Sequence, residues 1–199
     1  MSAALPVEQM IPAVDLMAPL ILTDVRPLVA LLTPLIGLLG IVWAGERRSD
    51  LREFFTFAAA IIQAGVVLSM VPLLLNGAII EFQIWQIFTH VPMLLRVDGP
   101  GLLFACVASI LWIVTTLYSV GYMRGLHEHA QTRFYSFFAL SLSATMGVAF
   151  SSNVLTIYFF YEMLSVSTFP LVTHMKDKES RTGCRTYLGY ILYTSLCLL

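Results

Sequence analysis

Charge is what this chain has least of. Its 199 residues include 11 Lys and Arg and 12 Asp and Glu, so 12% are charged, where a soluble domain carries about 25%. The net charge of -1 leaves no basic surface for nucleic acid and no polybasic run for acidic lipid. Cysteine is scarce as well. Cys106, Cys184 and Cys197 show no CxxC or His-paired spacing, and read as small apolar side chains within helices. A Gly-rich phosphate loop, a nucleophile elbow and a paired-Cys cluster are all missing, so no cofactor, metal or catalytic chemistry is encoded. His127-Glu128-His129 has only i, i+2 spacing in a short loop, which suits a solvated turn rather than a metal centre. His90 and His174 read as interfacial. Residues 1–24 have no basic n-region and contain Glu8, Pro12, Asp15 and Pro19, so they do not read as a cleaved signal peptide.

Apolar side chains fill the space that charge leaves. Hydrophobic residues make up 58% of the chain and the mean hydropathy is +0.84. Several windows reach the roughly 20 apolar residues needed to cross a hydrocarbon core of about 30 Å. The fold class is therefore all-α, a polytopic helical membrane protein of about six transmembrane helices. The expected spans are 27–44, 54–76, 101–123, 134–151, 153–173 and a last one from about Arg185.

Three connecting segments, 46–53, 124–133 and 176–185, hold every Lys and Arg except Arg26 and Arg96. They alternate along the chain, as consecutive crossings require. The positive-inside rule makes them cytoplasmic, which places the N-terminus on the outer face. Gly77–Pro100 is too polar for a span, and Phe82, Trp85 and Phe88 suit an interfacial segment there. The short junction Ser151-Ser152-Asn153 demands a tight antiparallel hairpin. From Arg185 to Leu199 a helix would be only about 22 Å long. The expectation is that the chain is the N-terminal part of a longer or split protein.

One carboxyl group stands out against this background. Glu162 is the only Asp, Glu, His, Lys or Arg between Phe134 and Val172, near mid-bilayer, where a charge costs on the order of 3 kcal/mol. Burial penalises a charged carboxylate and a nearby cation favours it. A group balanced between the two can exchange protons as neighbours move. Tyr158 at i-4 and Ser165 at i+3 share its helical face, and two hydroxyls beside a carboxyl could hold a short water chain. The competing reading is a structural carboxyl hydrogen-bonded to a neighbouring helix. Pro170 frees a carbonyl one turn earlier, which either admits water at a kink or is a passive bend packed by Ser167 and Thr168. On the last helix, Thr186, Tyr190, Tyr193, Thr194 and Cys197 form a polar stripe that suits interhelical hydrogen bonding. Arg185 at the start of that helix reads as snorkelling to the interface.

Three blocks in order carry a family resemblance. They are Val97–Phe104 running into Thr116–Met123, then Arg133-Phe134-Tyr135, then Tyr158–Ser165 with Glu162 at its centre. Together they resemble the antiporter-like subunits shared by multisubunit (Mrp-type) Na⁺/H⁺ antiporters and respiratory complex I. The D-subunit branch is nearest, from Thr132–Tyr135 and Pro170–His174.

The resemblance implies about fourteen helices with two inverted five-helix repeats. On that scheme residues 1–26 are an outer-face segment, 27–132 hold the first three helices, and 133–199 begin the first repeat, an incomplete antiporter-like fold. Glu162 matches the family's fifth-helix glutamate, which acts with a lysine on a broken seventh helix beyond Leu199. Arg185 and Thr186 lie where many members carry an early sixth-helix lysine. The implied activity is monovalent cation/proton antiport within a complex of other membrane subunits in the cell inner membrane, with Na⁺ or another cation as the driving partner. The alternatives are a proton-pumping subunit of a respiratory NADH dehydrogenase or membrane hydrogenase, and a non-transporting scaffold or inactive fragment.

Overall fold

The computed structural model describes residues 20–88, 91–126, 130–172 and 178–198. Its elements in order are β1 (Leu20–Thr23), α1 (Arg26–Ala44), α2 (Ser49–Leu75), β2 (Ala78–Phe88), β3 (Val91–Val97), α3 (Gly99–Leu126), α4 (Gln131–Ala149), α5 (Val154–Val172) and α6 (Lys178–Leu198). Six helices are present among the described residues. By length and apolarity α1, α2, α3 and α5 can each cross a membrane; α4 and α6 are not in that set among the described residues. The expected count of about six spans therefore stands at four on this measure. The reason is polarity: α4 is rich in Ser and Thr, and α6 opens on Lys178, Glu179 and Arg181.

Successive helices run between two ends of one bundle. At the first end lies the segment expected at an interface. Gly77–Pro100 carries β2 and β3, antiparallel to each other, and β1 joins them in parallel to give the order β1-β2-β3. The physical reason lies in the residues. β-Branched and aromatic side chains alternate with polar ones along Ile80-Glu81-Phe82-Gln83-Ile84, a period-2 pattern that a strand satisfies and a helix does not. Met93, Leu95 and Val97 point inward with Ile80, onto Met70, Leu102, Ala105 and Phe150. Arg96 faces out and pairs across the strands with Glu81 at 3.6 Å.

Helix contacts depend on small residues. A Cβ on Gly37 of α1 would lie 2.6 Å from the Ala59 Cβ of α2, so only glycine permits this approach. Gly147 of α4 likewise lies directly under the Phe160 ring of α5. Ser141 and Ser167 hydroxyls meet at 2.9 Å further along the same two helices. These pairs run in opposite directions along the sequence, so α4 and α5 form the tight antiparallel hairpin that their short junction required. Asn153 fixes that junction. Its Oδ1 accepts from the Thr156 N–H at 2.8 Å, capping α5, while its Nδ2 donates to the Pro92 carbonyl at 2.7 Å.

α2 begins at Ser49, five residues before its expected start at Phe54, because Arg52 and Glu53 are folded into its buried first turns rather than into a loop. α6 begins at Lys178, not near Arg185. Its 21 residues reach about 31 Å at 1.5 Å per residue, so the short final helix of the sequence reading is corrected. The loop carrying His127–His129, together with His90, His174, Lys176 and the segment 1–19, lies outside the described residues.

Candidate functional site

Glu162 lies half-buried on α5, against α6. Its Oε1 accepts a hydrogen bond from the Ser195 hydroxyl of α6. Ser195 is itself buried. A groove of about 530 Å³ opens beside this pair, lined by Tyr158, Tyr161, Tyr187, Tyr190, Thr194 and Ser195 together with apolar side chains. The carboxyl therefore sits where an apolar wall, a fixed hydroxyl donor and phenol groups converge.

Tyr158 is where the helical spacing placed it, on the groove wall near Glu162. Ser165 is not available in the way the spacing suggested. It is buried, and its hydroxyl donates to its own helix at the Tyr161 carbonyl, 3.0 Å away. The hydroxyl on Glu162 comes from the neighbouring helix instead. Pro170 sits inside α5, which continues as helix to Val172. Ser167 and Thr168 donate to the Leu164 and Ser165 carbonyls in the turn before it, and Ser167 also ties α5 to α4. These contacts pack the turn before Pro170.

The polar stripe on α6 is divided: Tyr190 and Thr194 border the groove against α5, whereas Thr186 and Tyr193 lie outside its lining. Tyr190 and Tyr193 are about 70% exposed, Thr186 is exposed, and Thr194 bonds within its own helix to the Tyr190 carbonyl. Thr186, Gly189, Tyr190 and Tyr193 border a second, shallower depression. Arg185 lies on the α6 backbone, but its side chain is outside the described ones. Ser195 was absent from the sequence reading. A signal did exist: Leu188, Ile191 and Ser195 repeat at i, i+3 and i+7 as the less exposed face of α6, and a serine on such a face needs a partner.

No family model matches the chain. The chain is 31% identical over 161 residues to an antiporter subunit, mnhA2, of Staphylococcus haemolyticus; the match covers 78% of this chain and 20% of that protein. It is 32% identical over 106 residues to Na(+)/H(+) antiporter subunit A1 of Staphylococcus aureus (strain bovine RF122 / ET3-1), covering 53% of this chain and 13% of the other. The fold matches a chain in the structure of the membrane-bound sulfane sulfur reductase, an archaeal respiratory membrane complex. There the TM-score is 0.70 with 18% identity, covering 87% of this chain and 26% of the other. Over the matched residues the chain is similar in sequence to antiporter A subunits and in fold to a chain of a respiratory membrane complex. It spans about a fifth of the length of the first of these relatives.

An antiporter-like chain with four helices able to cross a membrane is a multi-pass membrane protein. Both sequence relatives named here are A subunits, whereas Thr132–Tyr135 and Pro170–His174 pointed to the D-subunit branch. Stretches of four and five residues are too short to separate branches of one family.

Proposed function

We propose that this chain is part of a membrane subunit that moves protons in exchange for a monovalent cation, with Glu162 as the proton-carrying group. The observation that carries the reading is the Glu162–Ser195 pair at the edge of the tyrosine-lined groove. Support comes also from the A-subunit relatives, which are Na⁺/H⁺ antiporter subunits by name. Proton loss from Glu162 leaves a carboxylate stabilised by the Ser195 donor, and a cation brought to the groove by the rest of the subunit would favour that state further. Withdrawal of the cation restores the protonated form. Tyr158 supplies a phenol beside the path, and Ser165 and Pro170 shape the helix without taking the proton.

The same proposal includes the setting. Other membrane subunits are its partners, Na⁺ is its cation, and the bacterial-type inner membrane is its location. Arg47, Arg48, Arg52, Arg124 and Arg133 gather at one end of the bundle, which supports a cytoplasmic assignment for that end and an outer-face N-terminus. Residues 133–199 then correspond to the opening of the transporting repeat.

The test is cation/proton exchange in inverted vesicles by the complete complex carrying Glu162→Gln. The variant keeps shape and hydrogen bonding but not charge. Exchange should be lost while the complex still assembles; undiminished exchange defeats the proposal. The fold shared with a respiratory complex favours one further reading, a proton-pumping subunit driven by redox chemistry on other chains. Co-purification separates the two, since redox subunits carrying Fe–S clusters would accompany the chain in that case.

A further inference from the structure

The interface between α2, α3 and α4 contains buried polar side chains that are unlike the other buried polar groups of the bundle. Thr33, Thr56 and Ser141 each donate to the carbonyl four residues earlier, and Ser143 donates to the Leu31 carbonyl of α1. Among the described residues, both ends of the Gln63 amide, the Trp112 indole Nε1 and the hydroxyls of Ser109, Thr116 and Tyr135 have no hydrogen-bond partner. All five residues are at most 1% exposed. Buried polar groups are very rarely left unsatisfied, and where protein partners are lacking, ordered water takes their place.

These groups are not scattered. Ser109, Trp112 and Thr116 recur at i, i+3 and i+7 on one face of α3. Arg124 of α3 is bonded to Glu53 of α2, which fixes the relative register of the two helices. Counting from that contact at 1.5 Å per residue, Gln63 lies about 15 Å inward and Trp112 about 18 Å inward, at nearly the same depth. Thr116 lies about 12 Å and Ser109 about 22 Å from the same end. Trp112 packs with Ala59 and Ala60 of α2 and with Tyr135 of α4 in a single cluster. Tyr135 in turn lies under the Arg52 guanidinium, 5.6 Å from the ring centre. Past Ser109 the interior becomes apolar, with Val67, Met70, Leu102 and Ala105 in the other core cluster.

We propose that Tyr135, Thr116, Trp112, Gln63 and Ser109 line a blind water-filled inlet, running from the arginine-bearing end to about mid-depth and closed there by the apolar core. Its ligand is neutral water. No Asp, Glu, Lys or Arg lies on α2 beyond Glu53 or on α3 before Arg124, so nothing there would compensate a bare cation. The inlet is separate from the α5–α6 groove and does not depend on Glu162.

Trp112 itself reports on the inlet. Trp43 and Trp85 are both more than 70% exposed, and replacing each by Phe leaves Trp112 as the sole indole of these 199 residues. In the full chain in lipid nanodiscs, the Trp112 indole N–H should exchange with D2O within seconds. Gln63→Leu should slow that exchange at least tenfold and shift the emission to shorter wavelength. An indole N–H protected for hours in the otherwise unaltered double-Phe protein overturns the inlet, and that measurement needs no change at Gln63. Equal exchange rates with and without Gln63→Leu remove Gln63 from it. Thr116→Val provides a second, milder block and should slow exchange several-fold.

Discussion

The two ends of the bundle solve one problem with different chemistry. At both ends, helix termini must have their backbone groups satisfied where the chain turns. At the strand-bearing end the turns between helices are held chiefly by backbone pairing, with the ion pairs Arg96–Glu81 and Arg26–Asp24 beside it. The Arg96 N–H donates to the Phe150 carbonyl at 2.6 Å, the Ser152 N–H donates to the Leu94 carbonyl at 3.2 Å, and Asn153 bonds to Pro92 and caps α5. At the opposite end the solution is ionic. Arg52, 1% exposed, donates to the Gln131 side chain at 2.5 Å, the Thr132 hydroxyl at 3.2 Å and the Gly45 carbonyl at 3.3 Å, with Glu46 at 3.6 Å. Glu46 also accepts from the Thr132 N–H at the start of α4, at 3.1 Å, where the helix dipole favours an anion. Arg124 reaches Asp50 and Glu53 from α3. Backbone pairing holds one geometry and ignores salt, whereas an ion cluster is adjustable and screened.

The comparison can be broken most sharply at Arg52. Arg52→Ala removes charge-assisted hydrogen bonds worth roughly 1.5–3 kcal/mol each before compensation, so a net loss of about 3 kcal/mol is expected. A fall in thermal stability in detergent, with the α1–α2 and α3–α4 connections becoming protease-sensitive, would report it. Arg52→Lys should recover less than half of the loss, because an ammonium cannot span Gln131 and Thr132 as the guanidinium fork does.

Next in size is Gly147→Val, near the strand-bearing end. The added side chain meets the Phe160 ring, and overpacking of this kind costs about 1–3 kcal/mol. The expected readout is a lower unfolding midpoint that Phe160→Ala partly restores in the double variant. If the midpoint is unchanged, α4 and α5 are not docked at this point.

Asn153→Ala should cost about 1 kcal/mol, typical of a lost N-cap. Hydrogen exchange should rise at the Thr156 amide and along β3, and not at the ionic end. The smallest expected effect belongs to Arg124, whose side chain is half exposed and whose contribution salt should screen. Arg124→Gln should loosen the α2–α3 contact at low ionic strength and make no difference at 1 M salt. An equal response of both ends to salt would mean that the ionic contrast is not real in solution.

How much of this could be read from the residues differs element by element. The α4–α5 hairpin was legible because Ser151-Ser152-Asn153 leaves no room for another connection. The strands were legible in principle, since the alternation in Ile80–Ile84 is plain. The early start of α2 was hidden because Arg52 and Glu53 look like loop residues until their partners from α3 and α4 are seen. Glu162 stood out by isolation alone. Ser195 did not, because a serine in a helix becomes informative only when the facing residue is known.

The sequence by itself determined the solvent of this protein, its run of apolar helices, the segregation of basic residues among alternate connections and the lone carboxyl of α5. Each of these is a property of composition or of position along the chain, and needs no knowledge of what packs on what. Tertiary structure decided the rest: that Ser195 rather than Ser165 bonds to Glu162, that Arg52 is buried, and that Tyr187 and Tyr190 of α6 border a groove against α5 while Tyr193 does not. Those outcomes depend on which helix faces meet, and helix rotation is set by packing at glycine contacts and by hydrogen bonds between distant residues, neither of which a one-dimensional pattern contains.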